Sequence, residues 1–259
     1  MKVYILTDLE GATGVFKFSQ TRAMGTPEGI EAMRLLMGDI AAVVAGLRQA
    51  GATEIMVLDG HNGGNNFLPE EMVAGARYVT GKPRPWGLYG LDRSFAGMVV
   101  LGAHAMNGTA DGVLHHTQSS TAEAKYWYDG VERGEIYQAA VTAGHYDVPV
   151  IMVTGDEAAC REARQLLGED LPAAVVKKGI SREAAVLMPP AETRPLLAEV
   201  AKAAVAGLAW RQPLKPAFPI QLRERRLGPN PASLDTPWFV ERVSEVRCAL
   251  DIIRGSTNA

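Results

Sequence analysis

The sequence predicts an α/β fold: a largely parallel, doubly wound sheet with a smaller C-terminal α+β region. Three observations predict it. Val3–Leu6 and Met98–Leu101 are apolar runs without polar alternation, as expected of strands covered on both faces. Such runs alternate with segments of helical periodicity, the signature of βαβ units. Near the C-terminus the pattern changes, and Phe218, Ile220 and Leu222 alternate with polar residues, as in a half-exposed strand. The division expected is a larger α/β domain over residues 1–190 and the smaller region over residues 191–259.

The elements follow in order. After the first strand, Val3–Leu6, a long helix is predicted from Pro27 to Ala50. Thr26 caps it, Pro27 suits its first position and Gly51 its exit. Ile30, Met33, Met37, Ile40, Val44 and Leu47 fall on one face of that helix. Glu54–Leu58 is a strand ending at Asp59, and Gly81–Trp86 reads as a turn-rich connection. Met98–Leu101 is a strand that runs out into Gly102-Ala103-His104. Asp129-Gly130 signals a hairpin between Lys125–Tyr128 and the segment leading to Glu135. Val148–Val153 is a strand, Asp156–Leu167 a helix and Ala173–Val176 another strand. A helix from Arg194 to Ala209 and a last one from Ser244 to Ile253 complete the prediction.

Charge and composition exclude several classes. With 26 basic and 29 acidic residues the net charge is −3, which disfavours a nucleic-acid partner. Two cysteines, Cys160 and Cys248, make no disulfide framework and suit a reducing compartment. The apolar start is too short for a signal peptide, and no run reaches the ~18–20 apolar residues of a membrane span. The expectation is a soluble, cytoplasmic protein with no membrane partner.

Three strands end in polar residues: Asp8-Leu9-Glu10, Asp59-Gly60-His61 and His104. Ligands bind at such carboxyl ends in open α/β sheets. Asp8 and Glu10 are two apart, so at an extended strand end they share a face, where two carboxylates repel unless a cation or proton intervenes. With two imidazoles from neighbouring strands they resemble a mixed N/O site for zinc or a similar ion. Read separately, each residue has a plainer alternative, a turn or helix cap for the carboxylates and a hydrogen-bonded loop residue for the histidines. Asp59 has two readings, an acceptor for a ligand imidazole or an Asx turn. Arg223-Glu224-Arg225-Arg226 reads as a solvated loop and His145 as structural.

Asp8-Leu9-Glu10-Gly11-Ala12-Thr13-Gly14 resembles the D-x-E-G-x-x-G opening of the DppA-type zinc D-aminopeptidases. Asp59-Gly60-His61, Leu101-Gly102-Ala103-His104, Gly112-Val113-Leu114-His115-His116-Thr117, Gly134-Glu135 and Ala143-Gly144-His145-Tyr146-Asp147 follow in that family's order. The resemblance is dense over about the first 190 residues and loose beyond. It implies a self-compartmentalising metallopeptidase with two zinc ions per chain. Asp8 would bridge the metals, Glu10 and His104 would complete one and His61 and Glu135 the other, with His116 as catalytic histidine. It further implies a homo-oligomer, a decamer of two pentameric rings. The loops before His116 and Glu135 are longer by about a residue than the family's, which leaves His115 and Glu132 as rivals, and the C-terminal region is shorter.

The function expected is hydrolysis of the N-terminal amide bond of short peptides carrying an N-terminal D-residue. Two other readings compete: a binuclear phosphoesterase, for which no Asp-x-His or Gly-Asn-His-Asp/Glu motif is present, and a catalytically weak peptide-binding partner of a transport system.

Overall fold

The computed structural model describes residues 1–85, 87–228 and 238–254, without the side chains of residues 253 and 254. Trp86, at the end of the predicted turn-rich connection, lies outside them. The first strand, β1 (Lys2–Thr7), is followed by a short helix α1 (Phe18–Arg22) and the long α2 (Pro27–Gln49). Thr26 Oγ1 accepts from Gly29 N (3.2 Å) and Pro27 sits at the first helical position, so the capping reading holds. Met33, Met37, Ile40, Val44 and Leu47 are buried on one face, whereas Ile30, in the first turn of α2, is 38% exposed.

Strands β2 (Glu54–Asp59), β3 (Arg77–Val79) and β4 (Phe95–Ala103) come next, then a hairpin of β5 (Lys125–Tyr128) and β6 (Val131–Glu132). Helix α3 (Glu135–His145) leads to β7 (Val150–Asp156), α4 (Glu157–Leu167), β8 (Ala173–Ser181), β9 (Ala184–Leu187) and α5 (Pro190–Ala206). The chain closes with β10 (Ile220–Gly228), β11 (Trp238–Val246) and α6 (Asp251–Arg254). The predicted last helix from Ser244 is therefore a strand as far as Val246, held in register by Ile220↔Val246 and Leu222↔Ser244, and only a short helix after it. Arg223 to Arg226 belong to β10 rather than to a solvated loop, and Glu224 is buried.

The main sheet has the order β3-β2-β1-β4-β7-β8-β9, parallel throughout except for the β8–β9 pair. One core, with Val3, Ile5, Leu36, Ile40 and Leu197, lies under α2 and α5; a second, with Tyr4, Met98, Ile136, Ala140 and Ala163, lies under α3 and α4. Covering both faces is what the continuous apolar strands required.

A second sheet, β11-β10-β5-β6, encloses its own core of Tyr126, Tyr128, Tyr137, Val141, Ile220 and Leu222. It draws strands from both sides of residue 190, and α5 packs on α2 in the main layer. Helix α3 gives Ile136 and Ala140 to the main core and Tyr137 and Val141 to the small one, which seats its first turn where the two sheets meet.

From β1 the sheet grows outward through β2 and β3, then resumes on β1's other side with β4. This reversal is the topological switch point, where strand ends diverge and leave a crevice. No helix among the described residues is long and apolar enough to cross a membrane.

Candidate metal centre

Asp8 follows β1 directly, its N–H donating to Leu101 O (2.8 Å) and so extending the ladder to β4 by one residue. The chain then turns, with Ala12 N donating to Leu9 O (3.1 Å). Asp8 and Glu10 therefore converge through a turn and not along an extended strand, the geometry assumed from their spacing. Gly11 is required here: its N–H donates to Gly102 O (2.7 Å), and a Cβ would lie 2.0 Å from Ala103 O.

Six candidate residues meet in one cavity of about 540 Å³ at the switch point: Asp8, Glu10, His61, His104, His116 and Glu135. His61 Nδ1 lies 3.1 Å from Asp8 Oδ1 and 2.9 Å from Glu10 Oε2. His104 Nε2 lies 3.3 Å from Asp8 Oδ2 and 3.4 Å from Glu135 Oε1. His116 Nε2 is 3.9 Å from Glu135 Oε1, and its ring stacks on that of His104 at 3.9 Å and 14°. The two oxygens of Asp8 thus face two different imidazoles.

The three rings share one arrangement. His61 Nε2 donates to Thr21 O (2.8 Å), His104 Nδ1 to Ala105 O (3.0 Å) and His116 Nδ1 to Leu114 O (2.8 Å). Each imidazole is pinned to a backbone carbonyl by one nitrogen and turns the other toward carboxylates, the way metal-binding histidines are oriented. Glu135, the first residue of α3, accepts from Gln118 N (2.7 Å) through the oxygen that faces His104.

Electrostatics follow from burying these charges together. Asp8 is pushed up to about 6, by burial first and by Glu10 second. Burial also opposes charge on Glu10, but the adjacent His61 overrides it and holds Glu10 well below the usual carboxylate range. Burial disfavours charge on His104 too, yet the neighbouring carboxylates, Glu135 first and then Asp8 and Glu10, lift it to about 10. His61 is raised in the same way by Glu10 and Asp8 against its desolvation. His116 goes the other way, lowered by burial and by His104, which keeps its ring neutral near pH 7.

Such a cluster suits a cation. Glu10 Oε2 and His104 Nε2 are buried without a hydrogen-bond partner, although each has an oppositely charged neighbour. Candidate ligand atoms of Asp8, Glu10 and His104 lie within 4.8 Å of one another, as do those of His104, His116 and Glu135. Mixed imidazole and carboxylate donors at this spacing match zinc.

Both rivals fall away from the cavity. His115 is half-buried, and its Nδ1 accepts from Gly108 N (3.1 Å) in the loop; Leu114, at φ 52°, turns the chain just before the two histidines. Glu132 lies in β6, paired with Lys125 at 2.9 Å. Asp59 makes no contact with the His61 ring: it accepts from Asn66 N, Asn66 Nδ2 and Thr80 Oγ1, bracing the loop that carries His61. Its partners are seven and 21 residues away, so Asp59 is a longer-range brace and matches neither the imidazole acceptor nor the local Asx turn. His145 is exposed against Tyr146 at the far end of α3.

The sequence reading missed the cavity's other lining groups, including Arg22, Arg84, Gln118 and Gln138. Arg22 donates to Ser120 Oγ and Ser120 O over the face of Phe18, and Gln138 links Gln118 Nε2 to the Tyr128 hydroxyl. No motif or period marks these residues, because they come from the end of the short α1, from loops and from the inner side of α3.

Comparison with known proteins agrees with this geometry. Residues 1–247 match the D-aminopeptidase family. The D-aminopeptidase of Bacillus subtilis (strain 168) is 34% identical over 218 residues, which is 83% of this chain and 78% of that protein. The solved structure of the zinc-dependent D-aminopeptidase DppA from Bacillus subtilis, described as a self-compartmentalizing protease, superposes with a TM-score of 0.88. That match covers 99% of this chain and 96% of the other at 26% identity. The chain belongs to the D-aminopeptidase family.

Proposed function

We propose that this protein is a zinc-dependent aminopeptidase that releases an N-terminal D-residue from short peptides in the cavity at the ends of β1, β2 and β4. The observation that carries the reading is the set of pinned imidazoles facing buried carboxylates. Asp8 would bridge two zinc ions, with Glu10 and His104 completing one site and His61 and Glu135 the other. When bound, the zinc pair supplies Lewis-acid polarisation of the scissile carbonyl and activation of a water nucleophile.

The chain's own groups do the rest. His61, His104 and Glu135 are held in place by Thr21 O, Ala105 O and Gln118 N respectively. His116, lowered toward its neutral form and 8% exposed, would take a proton at Nε2 from the attacking water and pass it to the departing amine, while Nδ1 donates to Leu114 O. A cavity of about 540 Å³ accommodates a short peptide and excludes a folded one.

The test is hydrolysis of matched peptides that differ only in the chirality of the first residue, beside a phosphate ester. The D-peptide should be cleaved fastest, activity should vanish on chelation and zinc should restore it. Faster turnover of the L-peptide or the ester, or full activity in metal-free protein, would contradict the proposal.

Assembly into a decamer of two pentameric rings is part of the same proposal. Its support is the β10–β11 hairpin, where Trp238, Phe239, Val240 and Val243 are each between 41% and 62% exposed, an apolar arm suited to a neighbouring subunit. Sedimentation velocity should give a species far above the monomer; a sharp monomer boundary at micromolar concentration would rule out the ring. The two free cysteines suit a cytoplasmic setting.

A further inference from the structure

Lys177, in β8, is 1% exposed, yet it carries a charge that nothing in the reaction uses. Its Nζ donates three hydrogen bonds, to Glu10 O (2.6 Å), Ala12 O (2.8 Å) and Val15 O (2.5 Å). These account for all three donors of an ammonium, and every acceptor is a neutral carbonyl of one loop. Burial pulls Lys177 down to about 8, opposed by Asp156 and then Asp39, which favour the charge from nearby without bonding to it.

We infer that Lys177 is a positioning residue: its ammonium folds the Glu10–Val15 loop around itself and so sets the Glu10 carboxylate in the cavity before a metal arrives. This rests on reading the cavity as a metal centre. Burying an ammonium is costly, and an apolar chain of similar length would fill the space. What lysine adds is three directed donors for three inward-facing carbonyls, which would otherwise be buried without partners. The loop is clamped on its other sides too, Thr13 N donating to Asp39 Oδ2 (2.8 Å) on α2 and Gly11 N to Gly102 O at the end of β4. With Thr13 Oγ1 donating to Thr193 Oγ1 (3.0 Å) on α5, the ligand-bearing turn is tied to four elements of the main layer, and Lys177 is its only anchor to β8 among the described hydrogen bonds.

The experiment compares the wild type with Lys177→Met and with Val176→Ala, a cavity-forming control in the same strand and the same core as Ala12 and Val15 whose side chain gives the loop no hydrogen bond. Zinc affinity is read by chelator competition and ligand geometry by the absorption spectrum of the cobalt-substituted protein. Lys177→Met should weaken zinc binding by roughly 10–100-fold, the usual cost of losing an outer-sphere partner, and alter the cobalt spectrum. Val176→Ala should change neither. Wild-type affinity and spectrum in Lys177→Met, or equal losses in Val176→Ala, would overturn the inference. Hydrogen exchange on the wild type keeps the inference open to refutation even if Lys177→Met does not fold. The amides of Gly11, Ala12, Thr13 and Val15 should be as protected without zinc as with it, and rapid exchange in the metal-free protein would overturn the inference alone. Failure of the wild type to bind zinc would overturn the metal-centre reading together with it.

Discussion

Asp8→Ala is expected to empty the cavity of metal and to abolish peptide hydrolysis. Asp8 turns one oxygen to His61 at 3.1 Å and the other to His104 at 3.3 Å, so its loss touches both halves of the proposed centre. The cost in metal affinity should exceed the roughly 10–100-fold typical of losing an outer-sphere partner. The variant should still fold, because removing Asp8 also relieves its repulsion with Glu10, which contributes to pushing the Asp8 carboxyl up to about 6. Metal analysis and circular dichroism on one preparation check both parts. A folded Asp8→Ala protein with full zinc content would remove Asp8 from the ligand set.

His116→Ala is expected to lower kcat by about 10²–10⁴-fold, the usual contribution of a positioned proton carrier, with zinc content unchanged. His115→Ala should retain most activity, since that ring accepts a bond from Gly108 N and does not line the cavity. The reverse outcome would exchange the two roles. A loss of zinc in His116→Ala would make His116 a ligand, an arrangement its grouping with His104 and Glu135 makes worth measuring.

Much of this site was legible in the sequence because its residues end strands. Apolar runs that stop at Asp8, Asp59 and Ala103 announce where a parallel sheet opens, and the ordered motifs pointed to the residues that meet there. Helix α3 was not legible. Gly134 precedes it without a side-chain cap, and Ile136 through Gly144 are buried all round between two sheets, so no polar face gives it a helical period. The end of the chain failed for a different reason. Strand β11 exposes both faces of its apolar residues, which leaves no two-residue alternation to read. Lys177 was hidden beside Lys178: two adjacent lysines read as solvated, and only the fold separates the buried one from the exposed one. Asp59 shows the limit of spacing as a guide, since two residues from His61 it braces the backbone of that loop and leaves the imidazole to Thr21 O.

The central claim is that a pair of zinc ions sits at the switch point between β1 and β4. An anomalous-difference map from crystals of the zinc-loaded protein, measured at the zinc absorption edge, tests it most directly. Two peaks per chain are expected, both beside Asp8, one shared with Glu10 and His104 and the other with His61 and Glu135. A single peak, or peaks away from Asp8, would contradict it.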